Sequence, residues 1–309
     1  MNKATDLLIL IMGIVLLEPA SWGQDSFDAL LSREPEPARS SYSKILQDLS
    51  QHWEARKFET DKNLPILIRR FQSSDNPFAI GLEATMVINA PFERVEKALD
   101  QKEFYSELFP SFSHIQVISQ DEKETATYWE RSVPFPFVPN VKYILVTKKE
   151  VIRDRRIYST HLRYGNYLKY NDAILVIEKD ISDPSKTLYT EFSFYNADWG
   201  IAQSIFPDKI WRGNIEGFVN SDITLKLRAE HPEWSFEALQ EQQKKLTSAI
   251  DIDLILASHE DPIKFFAEVS VPPSESTPQK LDISNSVSLA TSGQLTEENL
   301  KAVKSQTSR

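Results

Sequence analysis

The sequence predicts an α+β fold in which an antiparallel sheet packs against one long amphipathic helix. Beyond Pro110, apolar and polar residues alternate for about eighty residues, which is the period of half-buried strands. Turn clusters at 120–122 and 182–185 interrupt this stretch and divide it into the strands of a meander. After Pro207 the apolar residues recur at helical spacing, so one face of a single helix is suited to lie on the sheet.

The region before the meander predicts a helix followed by a hairpin. Ser41 is expected to cap the helix. Residues 64–71 and 78–90 are expected to be strands, and the turn cluster at 73–77 joins them. The apolar stripe of the helix consists of Leu46, Leu49 and Trp53, and the second strand alternates through Leu82, Ala84, Met86 and Ile88.

Two short helices are expected between the hairpin and the meander. Pro91 suits the first turn of a helix, where its missing N–H has no partner to lose, and Val95, Ala98 and Leu99 give an amphipathic pattern. A second short helix is expected over 104–108 and ends at Pro110. The six predicted strands of the meander are 114–119, 125–133, 141–151, 156–164, 167–179 and 187–196.

Two further helices are expected after the meander. The first begins beyond Pro207, and the second runs from Ser235 to about Ser258 and stops before Pro262. Both show apolar residues at spacings of three and four. The stripe of the first consists of Trp211, Ile215, Phe218, Val219, Ile223 and Leu227, and that of the second consists of Leu239, Leu246, Ile250 and Leu254.

The first residues resemble an export signal. Lys3 supplies a positive charge, and the apolar run at 7–17 rises only about 16 Å as a helix, which is too short for a bilayer core of roughly 30 Å. Ser21 and Gly23 predict cleavage before Gln24 and export to the periplasm or the exterior; retention as an uncleaved anchor is the alternative. The predicted segments are a signal peptide at 1–23, a linker at 24–40, an N-terminal helix and strand extension at 41–76, the main domain at 77–230, a C-terminal helical extension at 231–268 and a disordered tail at 269–309.

Composition and missing motifs argue against several classes of function. The formal charge of −10 repels polyanions, so nucleic acid is not an expected partner. There are no cysteines, which excludes disulfides and thiolate sites. The five histidines show no metal-ligand spacing, and the eight glycines form no phosphate-binding loop or nucleophile elbow. No metal and no cofactor are therefore expected.

Two short stretches resemble a known superfamily. Residues 87–95, Val-Ile-Asn-Ala-Pro-Phe-Glu-Arg-Val, and residues 104–110, Phe-Tyr-Ser-Glu-Leu-Phe-Pro, are similar to the opening of polyketide cyclase/dehydrase and coenzyme Q-binding members of the START-like, helix-grip (SRPBCC) superfamily. The resemblance implies a curved antiparallel sheet wrapped around a long C-terminal helix, with an apolar tunnel between them. This chain would add helices at both ends of that domain.

Strand alternation and the helix stripe together suggest a ligand-binding wall. Aromatic rings give flat apolar surfaces, and an arginine or a tyrosine hydroxyl can hold one polar end of a ligand. Arg131 lies within an apolar alternation, so either it pairs with Glu191 or Asp172, or it binds a ligand carboxylate or phosphate. The rings are equally compatible with a packed core, and no catalytic residue is predicted. The candidate ligand-binding residues are Trp129, Arg131, Tyr143, Tyr158, Tyr164, Phe192, Phe194, Trp199, Trp211, Ile215 and Phe218.

Three functional hypotheses follow from this reading. The first is an exported protein that binds or carries an apolar small molecule, such as a lipid, a quinone or a polyketide-like compound, in an internal cavity. The second is a cyclase or dehydratase in which tyrosine hydroxyls, Arg131 or Asp172 assist proton transfer. The third is an interaction module whose cavity has collapsed. Phe135 and Phe137, in the proline-rich loop 134–139, could touch a membrane transiently, act as a lid or fold onto the core.

Overall fold

The fold consists of one eight-stranded sheet with helices on both of its faces. A computed structural model describes residues 42–51, 53, 64–73, 76–102, 105, 109, 112–131, 140–197, 207–262 and 264–266. All of these residues belong to one compact unit. The predicted signal peptide, linker and tail lie outside the described residues, and the domain boundaries stay predictions.

The helices and strands follow the predicted order. Observed strand boundaries differ from the expected ones by a few residues, as is usual where ends fray. The elements are α1 (Tyr42–Gln51), β1 (Leu67–Ser73), β2 (Asn76–Ile88), α2 (Phe92–Asp100), β3 (Phe112–Gln120), β4 (Glu124–Arg131), β5 (Val141–Ile152), β6 (Arg155–Gly165), β7 (Leu168–Lys179), β8 (Thr187–Ala197), α3 (Pro207–Glu230), α4 (Phe236–Thr247) and α5 (Ile252–Ala257).

The sheet is antiparallel throughout, with the strand order β1-β2-β8-β7-β6-β5-β4-β3. Strands β3 to β8 form the predicted meander, and β2 pairs with β8 rather than with β3. The connection through α2 therefore links β2, near one edge of the sheet, to β3, which is the strand at the opposite edge. This arrangement confirms the predicted α+β class and its curved antiparallel sheet.

One face of the sheet packs against α3. The even-numbered residues of β2 point to this face, where Leu82, Ala84 and Met86 are almost completely buried. They share a core cluster with Ile215 and Val219 of α3. The predicted helix stripe therefore does lie on the sheet, as its 3.6-residue period indicated.

The opposite face is covered by α1. Leu46, Leu49 and Trp53 form a second core cluster with Phe192 and Phe194 of β8. Ser43 also donates a hydrogen bond of 2.8 Å to Asp172, and Trp53 Nε1 donates one of 2.8 Å to Glu178. Since both faces are covered, β8 and its neighbours carry large apolar residues on alternate and on intervening positions.

The region expected to be one helix from Ser235 to Ser258 is two helices. Helix α4 ends at Thr247, and α5 begins at Ile252. Asp251 accepts a hydrogen bond of 2.9 Å from the Leu254 N–H, which caps α5 and turns the chain. The continuous apolar stripe concealed this break. Among the described residues, no helix is both long and apolar enough to cross a membrane.

Candidate functional site

Two adjoining chambers lie between the sheet and α3. The first chamber, of about 230 Å³, is bounded by strands β4 to β8, by α3 and by the segment after α2. The second chamber, of about 150 Å³, extends towards Arg131 and Val141. The side chains that line both are Phe112, Tyr143, Asn171, Ser193, Phe218 and Ser221. A ligand that enters one chamber is therefore next to the other.

Aromatic rings form one wall of the first chamber. Trp129 and Tyr143 are parallel, with ring centroids 6.3 Å apart, because they are cross-strand partners on β4 and β5. Phe112 meets Trp129 edge-on at 4.9 Å, and Tyr105 and Phe109 complete the wall. Trp129 Nε1 is buried and has no hydrogen-bond partner among the described residues. The wall thus combines apolar ring faces with two tyrosine hydroxyl groups and one unsatisfied donor.

A polar cluster of Tyr189, Glu191 and Asp222 lies on the opposite wall. Tyr189 and Glu191 project from the same face of β8, and Asp222 comes from α3. Tyr189 Oη is 2.6 Å from Glu191 Oε2 and 2.8 Å from Asp222 Oδ1. Tyr189 and Asp222 are buried, at 1% and 3% exposure, whereas Glu191 is half-buried. Glu191 is therefore the member of this cluster that a ligand reaches first.

The geometry of the cluster requires one proton on the two carboxyl groups. Tyr189 has a single hydroxyl proton, so it can donate to only one of the two oxygens beside it. The other close contact is favourable only if that carboxyl group is protonated and donates to Tyr189. Burial raises the pKa of Asp222 well above its ordinary value, and burial also raises the pKa of Glu191. In this arrangement the two carboxyl groups thus share one proton and one negative charge.

Lys102 brings a positive charge to the same chamber. The residue is half-buried, and its ammonium lies 2.5 Å from Tyr105 Oη and 4.3 Å from the centroid of that ring. Tyr105 in turn donates a hydrogen bond of 2.8 Å to the Leu99 carbonyl. Burial lowers the pKa of Lys102 to about 8, while nearby Asp100 and Glu191 oppose this shift. The amine is consequently still mostly protonated at pH 7.

Arg131 lies at the second chamber and is held by neutral groups. Its guanidinium is 3.3 Å from Asn214 Oδ1 and 3.4 Å from the Gly213 carbonyl oxygen, both on α3. The predicted pairing with Glu191 or Asp172 does not occur, because Glu191 lies in the first chamber and Asp172 points to the other face of the sheet. The guanidinium charge is therefore not balanced by either of these carboxylates.

The structure brings some of the predicted ligand-binding residues together. Trp129, Tyr143, Tyr158 and Phe218 line the first chamber, and Arg131 lines the second. The Tyr158 hydroxyl donates to Asp100 Oδ1 at 3.2 Å, so its polar end already has a partner. Contact with a ligand stays a prediction for all five.

Three of the predicted residues lie on the wrong face of the sheet. Phe192 and Phe194 pack under α1. The sequence did not reveal this, because their strand is buried on both sides and its polarity does not distinguish the faces. Tyr164 packs with Ile144, away from the chambers, because the register shifts by one residue between Leu162 and Tyr164. Such a bulge reverses the side-chain alternation that the sequence suggests.

The remaining candidates divide into core residues and residues outside the described ranges. Ile215 is fully buried in the core, and the Trp211 ring packs against the Arg70 guanidinium, 4.0 Å from the ring centroid; neither lines a chamber. Trp199, Phe135 and Phe137 lie outside the described residues, as does most of the short helix expected over 104–108.

The sequence interpretation missed Lys102, Tyr189 and Asp222 as chamber residues, and treated Glu191 only as a partner for Arg131. Asp222 carried a usable signal: it lies seven residues after Ile215 and four after Phe218, on the apolar stripe of α3. A carboxylate at such a position needs a buried partner. Within the described ranges, no group of three potential metal-ligating side chains is present.

Several solved structures are similar to this chain over part of its length. Human STARD10 is 10% identical, with a TM-score of 0.47, and the match covers 69% of this chain and 89% of that one. A STAR-related lipid transfer protein from Xanthomonas axonopodis is 12% identical, with a TM-score of 0.39, covering 61% and 98%. The Zhui aromatase/cyclase from Streptomyces is 14% identical, with a TM-score of 0.35, covering 53% and 95%. No protein-family model and no curated protein matches the chain.

The chain has a helix-grip fold. This conclusion rests on the strand order and on the packing of α3 against one face of an antiparallel sheet. The fold implied by the resemblance of residues 87–95 and 104–110 is therefore confirmed. It identifies neither a ligand nor a reaction, because one fold supports many functions.

Proposed function

We propose that this protein binds an apolar small molecule in the two chambers between the sheet and α3. The observation that carries the proposal is the aromatic wall beside open space: Trp129, Tyr143 and Phe112 pack against one another and still border about 230 Å³. Side chains usually close such gaps, because unfilled apolar space forfeits dispersion contacts. Space of this kind, lined by rings and a few polar groups, is typical of small-molecule sites.

The open chambers favour ligand binding over the collapsed-cavity hypothesis. Arg131 is the candidate for a polar contact in the second chamber, because its described partners are an amide oxygen and a carbonyl oxygen. A lipid, a quinone or a polyketide-like compound would satisfy the apolar requirement. The related folds are named as lipid transfer proteins and as an aromatase/cyclase, which agrees with this range of ligands.

Binding of N-phenylnaphthylamine, an uncharged fluorescent probe, tests the proposal. Ala173 lines the first chamber, and Ala173→Phe would fill it. We expect this variant to lose probe binding and any small molecule that native mass spectrometry finds in the purified protein, with little change in melting temperature. Lys148→Phe, at an exposed position of β5, is the control. Equal probe binding by both variants would place the site elsewhere and refute the proposal.

A cyclase-type enzyme is the second candidate. The observation that favours it is the presence of an amine and a protonated carboxyl group in one chamber, Lys102 and the Glu191–Asp222 pair. Such groups can transfer protons to a ligand that the cavity orients. Asp172 is no longer a candidate for this role, because it faces α1. Turnover of a polyketide-like substrate that disappears in Asp222→Asn would favour catalysis over carriage.

Export and membrane contact form a separate part of the proposal. The apolar run at 7–17 and the small residues before Gln24 support cleavage and export. The mass of the protein recovered outside the cytoplasm should then match a chain that begins at Gln24, and Leu10→Arg should keep the protein inside.

Replacing Phe135 and Phe137 by serine should weaken sedimentation with phospholipid vesicles if these rings collect the ligand from a membrane.

A further inference from the structure

The first chamber contains opposite charges that do not pair with each other. Lys102 contributes one positive charge, and the Glu191–Asp222 pair contributes one negative charge because it shares a proton around Tyr189. No ion pair within 4.0 Å joins Lys102 to either carboxyl group, although all three side chains are described. Each charge therefore faces the chamber with part of its hydrogen-bonding capacity unused.

The other titratable groups that line this chamber add no charge. All are tyrosines whose pKa burial raises, so their hydroxyls stay protonated throughout the physiological range. The lining residues are thus balanced in charge when the chamber holds no ligand, and Asp100, which lies behind Tyr158 and near Lys102, is itself paired with Lys149 at 2.6 Å. These tyrosines are Tyr105 from the segment after α2, Tyr143 from β5, Tyr158 from β6 and Tyr189 from β8.

We propose that the first chamber binds the uncharged hydroxyl group of an apolar alcohol or phenol, which donates a hydrogen bond to Glu191 and accepts one from Lys102. This inference rests on the proposed function and names the class of ligand. Glu191 and Lys102 are the two charged residues of the chamber that are half-buried rather than buried, so both are within reach of a guest.

Charge balance selects against ionised ligands. A ligand ammonium would lie beside Lys102, and a ligand carboxylate would lie beside Glu191, in surroundings where little water screens the repulsion. A hydroxyl group has one donor and two acceptor positions, so it can satisfy both residues at once. A carbonyl oxygen has no proton and could serve Lys102 alone. An apolar group of the same size would leave both charges without a partner.

Tyr189 and Asp222 position Glu191 for this role. The 2.6 Å contact between Tyr189 Oη and Glu191 Oε2 and a hydrogen bond between the two carboxyl groups hold the Glu191 side chain at the chamber wall. Asp222, at 3% exposure, is more buried than Glu191. The shared proton is therefore expected to reside mainly on Asp222. Both residues act through Glu191 and are positioning residues.

Arg131 offers a different type of contact. Its guanidinium lies in the second chamber and would attract an anion rather than an uncharged group. A ligand acid bound there would be insensitive to Lys102 and Glu191 but would be lost in Arg131→Met. The two chambers therefore make distinguishable predictions for a carboxylate ligand.

Four probes with one carbon skeleton test the inference by isothermal titration calorimetry: naphthylethanol, ethylnaphthalene, naphthylethylamine and naphthylacetate. We expect the wild-type protein to bind naphthylethanol at least about tenfold more tightly than the other three, since hydrogen bonds to charged groups contribute this much or more. This ranking needs no variant, so it remains informative even if a substitution prevents folding.

Charge-removing variants should then reverse the preference. Lys102→Met leaves the negative charge of the carboxyl pair, so we expect naphthylethylamine to become the tightest of the four ligands. The double variant E191Q/D222N keeps both side-chain shapes and leaves only the Lys102 charge, so naphthylacetate should become the tightest. Lys148→Met, which removes an exposed charge of β5, is the matched control and should keep the wild-type order.

Four results would overturn the inference. Equal affinity for naphthylethanol and ethylnaphthalene would refute it and leave the proposed function intact. A wild-type preference for naphthylacetate that Arg131→Met abolishes would instead assign recognition to the second chamber. A wild-type preference for naphthylethylamine would show that the pair acts as a cation site. Absence of binding by all four probes would refute the inference and the proposed function together.

Discussion

At Gly81 the absence of a side chain decides how two aromatic rings meet. Phe71 of β1 and Phe194 of β8 stack on the face covered by α1, with ring centroids 5.8 Å apart and planes 26° apart. A Cβ atom at Gly81 would lie 2.7 Å from a ring carbon of Phe194 and 2.9 Å from Phe71 Cβ. Gly213 differs, because a Cβ atom there would meet nothing within 4 Å.

These two glycines should respond to alanine in opposite ways. Gly81→Ala should lower the free energy of unfolding by about 1–3 kcal/mol, because the rings must move apart in a packed core. Gly213→Ala, in the interior of α3, should raise it by up to about 1 kcal/mol, because alanine favours the helix. Urea denaturation measures both changes. Loss of stability in Gly213→Ala, or none in Gly81→Ala, would contradict the packing described here.

At the scale of secondary structure, α1 and α5 pack into the cores on the two faces of the sheet and do not form a separate domain. Helix α1 covers apolar side chains of β7 and β8 that would otherwise face water. Helix α5 is short, but Ile252 is buried in the core that contains α3, and Asp251 caps its first turn. Both additions should therefore contribute to the stability of the main fold.

Helix α1 should prove to be part of the cooperative unit. Leu49 is 3% exposed against the rings of β8, so Leu49→Ala should lower the free energy of unfolding by about 2–5 kcal/mol. Gln47, exposed on the same helix, provides the control, and Gln47→Ala should change stability little. Thermal unfolding followed by circular dichroism compares the two. If both variants melt together with the wild type, α1 is not docked as described.

The Asp251 cap should govern local order in α5. Asp251→Ala removes the acceptor for the Leu254 N–H and should cost about 1 kcal/mol, whereas Asp251→Asn should retain most of that. Amide hydrogen exchange at Leu254 and Ile255 is the appropriate measurement, because opening of so short a helix need not unfold the sheet. Unchanged exchange in Asp251→Ala would show that packing of Ile252 alone holds the helix.

At the scale of the whole molecule, the chamber charges make stability depend on pH. The native pKa of Asp222 exceeds its unfolded value, so the native protein binds more protons between those two values. The free energy of unfolding should therefore fall as pH rises above about 4, the ordinary aspartate value. Lys102 acts in the alkaline range: its pKa is about 8 in the folded protein against 10.5 for the free group, so stability should rise between these two values.

Substitutions separate these two effects. Asp222→Asn should gain stability relative to the wild type as pH increases from 4 towards neutrality, because it removes a carboxyl group that is costly to ionise. Lys102→Met should lack the alkaline gain, and Lys148→Met should keep the wild-type profile. Urea unfolding across the pH range provides the data. Parallel profiles for the wild type and Asp222→Asn would mean that Asp222 ionises as easily in the folded protein as in the unfolded chain.

The sequence by itself determined the class of fold and the order of its elements. Periodicity is a local property, so the alternation of 114–196 and the helical stripe after Pro207 identify strands and a helix without knowledge of their partners. Local chemistry also placed Trp129, Arg131, Tyr143, Tyr158 and Phe218 on the surfaces that face the chambers. Resemblance of residues 87–95 then indicated how the helix and sheet combine.

Only the tertiary structure decided which face each strand presents and which charges meet. The face to which Phe192 and Phe194 point could not be assigned from sequence. Strand β8 is buried on both faces, so its pattern of apolar and polar residues does not distinguish one face from the other. The bulge before Tyr164 is set by pairing with β5, which no local pattern encodes. The Glu191–Asp222 pair joins residues of β8 and α3, and Lys102 arrives from a third segment. The two carboxyl groups share a proton because folding brings β8 and α3 close together, and no local sequence pattern encodes that proximity.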